Sequence, residues 1–426
     1  PEHDPETGRV TLGYAILLPR ITPTLPEAET DTPLQHLHGG RAGLDPYAFT
    51  ASDVYQDLFG EASYTGKGIY DVDAFERALR GRIPNDAVLS HDLLESLFAR
   101  TGLVSDVELF EAWPANAGVA AARDHRWVRG DWQLLPWLLG RGRLGWLGRW
   151  KIVDNLRRSL VAPATLALLA VGWTCPAPAP AVWTLLAVLL PVIPQLLPLV
   201  GDLVAAVRGW AGIKDAVRAF GPGLARIGAD LVSLPHRAWR ASDAIVRTLA
   251  RLVLRRRLLQ WVAASELVRV APVDLAGFAR AGAPGAALAA AIVAAIALTA
   301  PSQLPLAVAF AAVWACAPLV ALAVSTPLPR HALAPLSTHD AMELRRIARQ
   351  TWRFFESFVG SEDHDLPPDN VQEDPERVIA HRTSPTNVGM YLLSAAAAHE
   401  MGWLGTRELA DRVGRTERMA QARHDV

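Results

Sequence analysis

The feature that most constrains this chain is a pair of long stretches, residues 159–201 and 281–329, that contain no charged side chain. Each stretch is far longer than the roughly 20 apolar residues that one membrane-spanning helix needs. Each also carries a turn signal near its middle, at residues 175–178 and 300–303. We therefore expect a multi-domain membrane protein with two helical hairpins, whose helices lie near residues 159–174, 181–201, 281–299 and 304–325. The alternative is a buried pair of core helices, but soluble proteins seldom run so far without a charge.

The distribution of basic residues predicts which side of the membrane each part occupies. The stretch 202–280, between the hairpins, is rich in Arg and Lys, whereas the two hairpin tips contain neither. Short loops rich in Lys and Arg stay in the cytoplasm. Both termini and the stretch 202–280 are therefore expected to be cytoplasmic. The formal net charge of -1 argues against nucleic acid as a nonspecific partner.

The polar N-terminal region is expected to form part of a mixed α/β domain over residues 1–131. Residues 10–18 predict a buried strand that Pro19 closes. Helical patterns follow at residues 51–58, 72–79 and 91–99. The next segment, 132–158, interleaves tryptophans with Arg and Lys, which suits the headgroup layer of a membrane. A soluble helix packed on the domain is the alternative for this segment.

The basic stretch 202–280 also has an amphipathic pattern. Arg247, Arg251 and Arg255 recur every four residues and line one helical face. The apolar residues of another face are Ile245, Leu249, Leu252 and Leu259. We interpret this pattern as a basic helix at the membrane surface.

The first domain contains an acidic, glycine-rich motif. Asp71 and Asp73 could hold a divalent metal, but they directly precede a helical pattern, where Asp caps backbone N–H groups. We favour capping. Lys67 does not belong to a phosphate loop, because Gly60 lies one residue too far away and Gly68 replaces the required Ser or Thr.

A second motif contains Ser90, His91 and Asp92. These neighbours cannot form a hydrolytic triad, because their side chains diverge. Asp92 could instead act as a general base on an acceptor hydroxyl, although the same residues also fit the start of a helix. His36 and His38 have no third ligand nearby, so a zinc site is not expected there.

A third motif combines guanidinium and indole groups at Arg123, Arg126 and Trp127. A guanidinium can bind a diphosphate through two parallel hydrogen bonds, and an indole can stack on a sugar ring. A basic, aromatic helix close to the membrane fits the same residues equally well.

Together these motifs resemble the cyclic β-1,2-glucan synthases of Gram-negative bacteria. The resemblance extends over essentially the whole chain and is strongest at residues 52–60, 66–75, 89–95, 121–135, 366–375 and 381–389. It implies a partial GT-A-like glycosyltransferase domain followed by an α-helical transmembrane region in the bacterial inner membrane. The implied activity is inverting transfer of glucose from UDP-glucose to the 2-hydroxyl of a growing β-1,2-glucan.

The resemblance also implies roles for single residues. His91 and Asp92 stand where such enzymes place the acidic pair that supplies the base, so Asp92 would deprotonate the acceptor hydroxyl. Arg126 and Trp127 match the Arg-Trp of a Gln-x-x-Arg-Trp motif, near the diphosphate and the acceptor sugar respectively. The Gln position of that motif holds Arg123 here.

Residues 330–426 resemble the opening of the family's glucoamylase-like domain, an α/α toroid, with helices expected around 341–359 and 388–401. Polar sugar contacts are implied at Asp369, Arg382 and Asn387. Loop structure is the alternative for these three. Lys67, in a matching segment of the first domain, is likewise expected to contact substrate.

A divalent cation, Mg²⁺ or Mn²⁺, is implied as cofactor, with ligands mainly in an N-terminal half that this chain does not include. No metal ligands are assigned within the chain. We expect an interior fragment that is inactive alone, with UDP-glucose, a β-1,2-glucan chain and membrane lipids as partners. The alternative function is a noncatalytic membrane scaffold or glucan-handling module. A transporter is less consistent, since the hairpins offer almost no polar group at mid-membrane.

Overall fold

The computed structural model describes residues 1–5, 7–23, 31–38, 53–84, 87–89, 92–140, 144–176, 178–193, 196, 199–200, 213–262, 264–329, 336–374 and 376–422. The chain divides into two compact units, Pro1–His331 and Ala332–Val426. Helices predominate in both units.

The first unit opens with two small sheets. Strands β1 (Glu2–His3) and β2 (Val10–Leu12) pair antiparallel. In the second sheet, the central strand β3 (Ile16–Pro23) lies between β4 (Ile69–Tyr70) and β5 (Thr101–Glu111). β3 runs antiparallel to β4 and parallel to β5. A parallel pair requires a crossover connection, so the chain between β3 and β5 packs its helices against this sheet.

The prediction of one strand over residues 10–18 was wrong in its bounds. The chain instead forms β2 and β3, separated by Gly13 with a left-handed φ of 72°. Pro19 lies inside β3 and does not close it. The register with β5 shifts directly after Pro19, and β4 pairs only with Ile16 and Leu17. The missing N–H therefore falls at an irregular point of the strand, where it is tolerated.

Short helices complete this α/β part of the first unit. Their bounds are α1 (Pro33–His38), α2 (Val54–Phe59), α3 (Val72–Leu79) and α4 (Asp92–Ala99). The last three confirm the helices predicted from residues 51–58, 72–79 and 91–99. Asp71 precedes α3, and its Oδ1 accepts a hydrogen bond from the backbone N–H of Ala74 at 2.9 Å. The capping interpretation of Asp71 is thereby confirmed.

A set of longer helices follows the sheet. Their bounds are α5 (Ala117–Gln133), α6 (Leu135–Leu138), α7 (Trp146–Gly172), α8 (Ala179–Leu189), α9 (Ile213–Val232), α10 (Leu234–Leu254) and α11 (Ala264–Val270). α7 begins well before the helix predicted near residues 159–174. Its first half buries Ile152 and Leu156 in the core of the α/β part, and its second half buries Leu166 and Leu169 among the apolar helices. Burial on both sides keeps α7 continuous between the two cores.

The second predicted hairpin corresponds to α12 (Leu275–Thr299), followed by a 3-10 turn, α13 (Leu304–Ala315) and α14 (Ala317–Ser325). Among the described residues, Leu275–Thr299 and Pro301–Ser325 are long and apolar enough to cross a membrane. Only 17% and 11% of their most apolar windows are buried in protein. This exposure is unlike that of a buried core pair.

The first predicted hairpin remains a prediction. α8 is apolar but shorter than a membrane span. The helix predicted over residues 181–201 lies partly outside the described residues.

The amphipathic helix of the basic stretch is α10. It packs against α5, α7 and α12 and buries Ile245 and Thr248. Its apolar face therefore covers protein, and a membrane-surface position for the opposite face, which carries Arg247, remains a prediction.

The second unit consists of α15 (Thr338–Phe358), the strand pair β6 (Val371–Gln372) and β7 (Val378–Ile379), α16 (Pro385–Glu400) and α17 (Thr406–Ala422). Its core contains Trp352, Phe355 and Tyr391. α15 and α16 confirm the two helices predicted for this region. The toroid architecture remains a prediction.

Candidate functional site

A large cavity lies within the first unit. Its volume is about 1330 Å³, and its wall includes residues from β3, α5, α7, α10 and the apolar helices α12 to α14. Polar side chains line the part near β5, and small apolar side chains line the part between the apolar helices. A polar ligand would therefore bind close to the sheet.

Three of the residues predicted to contact substrate line this cavity, namely Lys67, Asp92 and Trp127. Asp92 stands in the first turn of α4. It is bordered by Gly66, where an added Cβ would lie 3.0 Å from the Asp92 Oδ2. The Nζ of Lys67 forms an ion pair with the Oε2 of Glu111 at 2.7 Å. The structure thus brings a carboxylate, a cation and an indole from distant segments to the lining of one cavity.

α5 contributes Trp127 to the cavity wall. The N-terminus of this helix is fixed by a side-chain cap. The Oδ1 of Asn116 accepts hydrogen bonds from the N–H groups of Gly118 and Val119 at 2.7 and 3.3 Å. Arg123 and Trp127 are four residues apart and share one helical face. The guanidinium of Arg123 lies 4.5 Å from the Trp127 ring centroid.

The Arg123 guanidinium also contacts Trp113, with a separation of 4.0 Å to the ring centroid. Trp113 in turn stacks on His38, with centroids 4.2 Å apart and an interplanar angle of 9°. Burial and the nearby arginines lower the pKa of His38 to about 3. The imidazole is therefore neutral at cellular pH.

Polar contacts fix α5 against α10. The Nε2 of His125 lies 2.9 Å from the Oδ2 of Asp243, whose Oδ1 accepts a hydrogen bond from the Nε of Arg247 at 2.7 Å. The Nη2 of Arg240 donates to the carbonyl of Ala121 at 2.7 Å. The helix that carries Arg123 and Trp127 is therefore anchored along its length.

Asp131 lies at the C-terminal end of the same helix and lines the cavity. Burial raises its pKa to about 6, because a charged carboxylate is poorly solvated there. The Nδ2 of Asn155, from α7, donates to its Oδ1 at 3.0 Å. This carboxyl group is thus partly protonated near neutral pH.

A buried cation joins α7 to the loop before Lys67. The Nζ of Lys151 donates to the carbonyls of Glu61 and Ala62 at 3.3 and 3.1 Å, and lies 3.5 Å from the Glu61 Oε1. Arg9 approaches the same carboxylate at 3.4 Å. Burial lowers the pKa of Lys151, and the Glu61 carboxylate opposes that shift.

The remaining predicted residues of the first domain are placed differently. Arg126 does not line the cavity, and its guanidinium lies 5.6 Å from the Trp261 ring centroid. Its contact with a diphosphate remains a prediction that this geometry does not favour. His91 lies outside the described residues.

The three predicted sugar contacts of the second unit do form one cluster. Asp369 accepts hydrogen bonds from the Nε of Arg382 at 3.0 Å and from the Nδ2 of Asn387 at 2.9 Å. Together with a weaker bond from Asn370, these contacts lower the pKa of Asp369. The cluster is exposed, so it is open to a ligand, but the same bonds also tie the segment before β6 to the segment after β7.

Sequence reasoning did not identify His38, Trp113 or Glu111 as members of the cavity wall. Glu111 and Trp113 come at and just after the end of β5, a strand that the sequence analysis did not assign. The available signal was the run 101–111, which is rich in β-branched and alternating apolar residues. His38 reaches Trp113 only through the tertiary fold.

The residues present do not form a site for a divalent metal. Across the described residues, no group of three or more His, Cys, Asp or Glu side chains could hold a metal ion. In the cavity, Glu111 is engaged by Lys67, and Asp71 caps a helix.

These features define a mainly helical protein with membrane-length helices and a large cavity that is polar at one end. No protein-family model matches the chain. The chain is 43% identical, over 98% of its length, to Cyclic beta-(1,2)-glucan synthase NdvB of Rhizobium meliloti (strain 1021), and it spans 15% of the length of that relative. The chain belongs to the cyclic β-(1,2)-glucan synthase family.

Proposed function

We propose that this chain forms the acceptor side of the glucosyl-transfer site in a membrane-bound cyclic β-1,2-glucan synthase. The observation that carries this proposal is that Asp92, Lys67 and Trp127 line the same cavity. A base, a cation and a sugar-stacking surface are what transfer from an anionic sugar nucleotide to a sugar hydroxyl needs. Family membership supports the glucan as acceptor.

In this mechanism Asp92 accepts the proton of the acceptor 2-hydroxyl as that oxygen attacks the anomeric carbon of UDP-glucose. The new carbon–oxygen bond forms as the bond to UDP breaks, on the opposite face, so the anomeric configuration inverts. A positioned general base contributes about 10²–10⁴-fold in rate. Asp92 is suited to this role because it is held between α4 and the Gly66 turn while lining the cavity.

Charge on the departing UDP needs a cationic partner. Lys67 is suited to this role. Its ion pair with Glu111 is half-exposed, so Lys67 can exchange that partner for a ligand phosphate. His91 and Arg126 remain predicted substrate contacts.

The Asp369 cluster is proposed to contact sugar in the second unit. Its exposed carboxylate, guanidinium and amide offer both acceptors and donors to hydroxyl groups. Loss of glucan binding on Asp369→Ala, with the unit still folded by circular dichroism, would support this role. Unchanged binding would leave the cluster as loop structure.

The proposed function is tested by following glucose incorporation from labelled UDP-glucose in membranes that express the complete gene. The product is then analysed for β-1,2 linkages. Labelled β-1,2-glucan is the expected result. Absence of label, with the protein present and folded, would favour the noncatalytic scaffold or glucan-handling module.

A further inference from the structure

Four flat groups form a continuous stack on the cavity wall. Their order is His38, Trp113, Arg123 and Trp127, with separations of 4.2, 4.0 and 4.5 Å between successive groups. They come from α1, the segment after β5, and α5. Trp127 ends the stack and remains 40% exposed where it lines the cavity.

The guanidinium at the centre of this stack is not well satisfied by hydrogen bonds. Its Nε and Nη2 atoms are buried and have no hydrogen-bond partner among the described residues. Unpaired buried donors destabilise a fold, and the contacts with the two indoles offset that loss only in part. A stabilising role alone does not explain an arginine at this position.

The planar shape and the positive charge of the guanidinium explain better why position 123 is an arginine. A planar guanidinium can contact two indole rings at once and attract the faces of both, and Arg123 lies 4.0 Å from the Trp113 ring centroid and 4.5 Å from that of Trp127. The neutral His38 behind Trp113 adds no repulsion to the buried cation. Each group in the stack therefore restrains its neighbour. The indole of Trp127 is the exposed end of the stack.

We propose that Arg123 is a positioning residue, which holds the Trp127 indole at a fixed angle so that a sugar ring of the acceptor glucan stacks on it. This inference rests on the proposed function. Arg123 itself does not touch the reacting atoms. Its effect should appear in acceptor binding, because the angle of the indole decides how well a sugar face can pack on it.

The test uses the full-length protein in membranes, saturating UDP-glucose and a β-1,2-gluco-oligosaccharide of defined length as acceptor. Arg123→Met keeps most of the side-chain length but removes the plane and the charge. The KM for the acceptor should rise about tenfold, the loss of roughly one stacking contact, with kcat within about twofold of wild type. Arg123→Lys keeps the charge without the plane and should resemble Arg123→Met, whereas Arg123→Gln keeps a planar group and should be intermediate.

Arg129 provides a matched control on the same helix. It is also buried with unpaired Nε and Nη2 atoms, but among the described residues it lines no part of the cavity and makes no ring contact. Arg129→Met should leave the acceptor KM unchanged. If Arg123→Met does not accumulate in membranes, Trp113→Leu removes the adjacent layer and should raise the acceptor KM in the same way.

Three outcomes would overturn the inference: an unchanged acceptor KM in the Arg123 variants, full recovery by Lys, or an equal rise in Arg129→Met. Failure of the proposed function would look different. In that case wild-type membranes would form no labelled β-1,2-glucan at all, whereas failure of the inference alone leaves wild-type synthesis intact.

Discussion

At the scale of single residues, the cavity wall depends on close contacts around Asp92. The Gly66 turn borders its carboxylate, and α4 begins at Asp92 itself. Small changes at either place should alter the chemistry before they alter the fold, because a general base must lie within hydrogen-bond reach of its proton.

Gly66→Ala tests this arrangement. The residue has φ +85°, and its new Cβ would lie 3.0 Å from the Asp92 Oδ2. We expect kcat to fall about tenfold or more, since a displaced catalytic group loses alignment. The measurement is glucan synthesis at saturating substrate.

Gly81→Ala is the matched control for backbone strain. Gly81 has φ +74°, but an added Cβ meets nothing within 4 Å. Both variants should lose about 1 kcal/mol of stability from the left-handed backbone, but only Gly66→Ala should lose activity. Equal losses of activity would show that strain, and not the contact with Asp92, is responsible.

Asp131 makes stability depend on pH. Its pKa is about 6 in the folded protein against about 3.9 in an unfolded chain. The protonated form is therefore favoured by folding, so this contribution is complete below the unfolded pKa and is lost as the pH rises through about 6. The loss is on the order of 3 kcal/mol.

Asp131→Asn should remove that dependence. At pH 7 the variant should melt at a higher temperature than wild type, and at pH 4 the two should be alike. Thermal unfolding in detergent, followed across pH 4–7, checks this result. In the exposed control Asp106→Asn, the melting temperature should differ from that of wild type by the same amount at every pH. The same pattern for Asp131→Asn would disprove the assignment.

At the scale of elements, α7 is the connection between the α/β part and the apolar helices. It contributes Ile152 to the first core and Leu169 to the second. Lys151, on the same helix, is only 2% exposed and binds the loop that leads to Lys67. The helix therefore positions the cavity wall from the side of the apolar helices.

Lys151→Met should destabilise this junction. Three hydrogen bonds to residues 61 and 62 are lost, and the buried Glu61 carboxylate keeps only its arginine partners. We expect a loss of about 3 kcal/mol, the range for breaking one partner of a buried ion pair. Chemical unfolding in detergent measures it.

A double variant separates the ion pair from the rest of the contact. Glu61→Gln combined with Lys151→Met should cost clearly less than the sum of the two single variants, because the uncompensated charge is gone. Strict additivity would show that Lys151 acts through its backbone contacts alone.

At the scale of the whole molecule, the predicted topology can be checked with cysteine labels. In a background of Cys175→Ala and Cys316→Ala, Ser302→Cys lies in the turn of the second hairpin, and Arg255→Cys lies in the basic stretch. A membrane-impermeant maleimide should label Ser302→Cys in intact spheroplasts and Arg255→Cys only after permeabilisation. The reverse pattern would contradict the predicted orientation.

Local signals in the sequence were sufficient for several parts of the fold. The cap at Asp71, the helices of the second unit and the second apolar hairpin follow from patterns within a few turns of chain. Pro19 was misassigned because a strand can absorb a proline at a register shift, which depends on its partner strand. The start of α7 was misplaced because its first half is buried by tertiary contacts.

The candidate site also contains some residues that the sequence predicts and others that only the tertiary fold brings together. Asp92 and Trp127 were predicted from motifs and do line one cavity. The stack of His38, Trp113 and Arg123 was not predicted, because its members are brought together only by the packing of α1, β5 and α5. A motif does not determine which of its residues face the cavity. Trp127 lines the cavity, whereas its neighbour Arg126 contacts Trp261.

The most direct test of the account is the rate of glucose transfer in Asp92→Asn, measured in membranes expressing the complete gene. Asp73→Asn is the control, because Asp73 is also an acidic residue in the first turn of a helix but is exposed outside the cavity. The account predicts a loss of about 10²–10⁴-fold for Asp92→Asn, with normal protein levels, and near wild-type synthesis for Asp73→Asn. Retained synthesis in Asp92→Asn would contradict the assignment of this cavity as the transfer site.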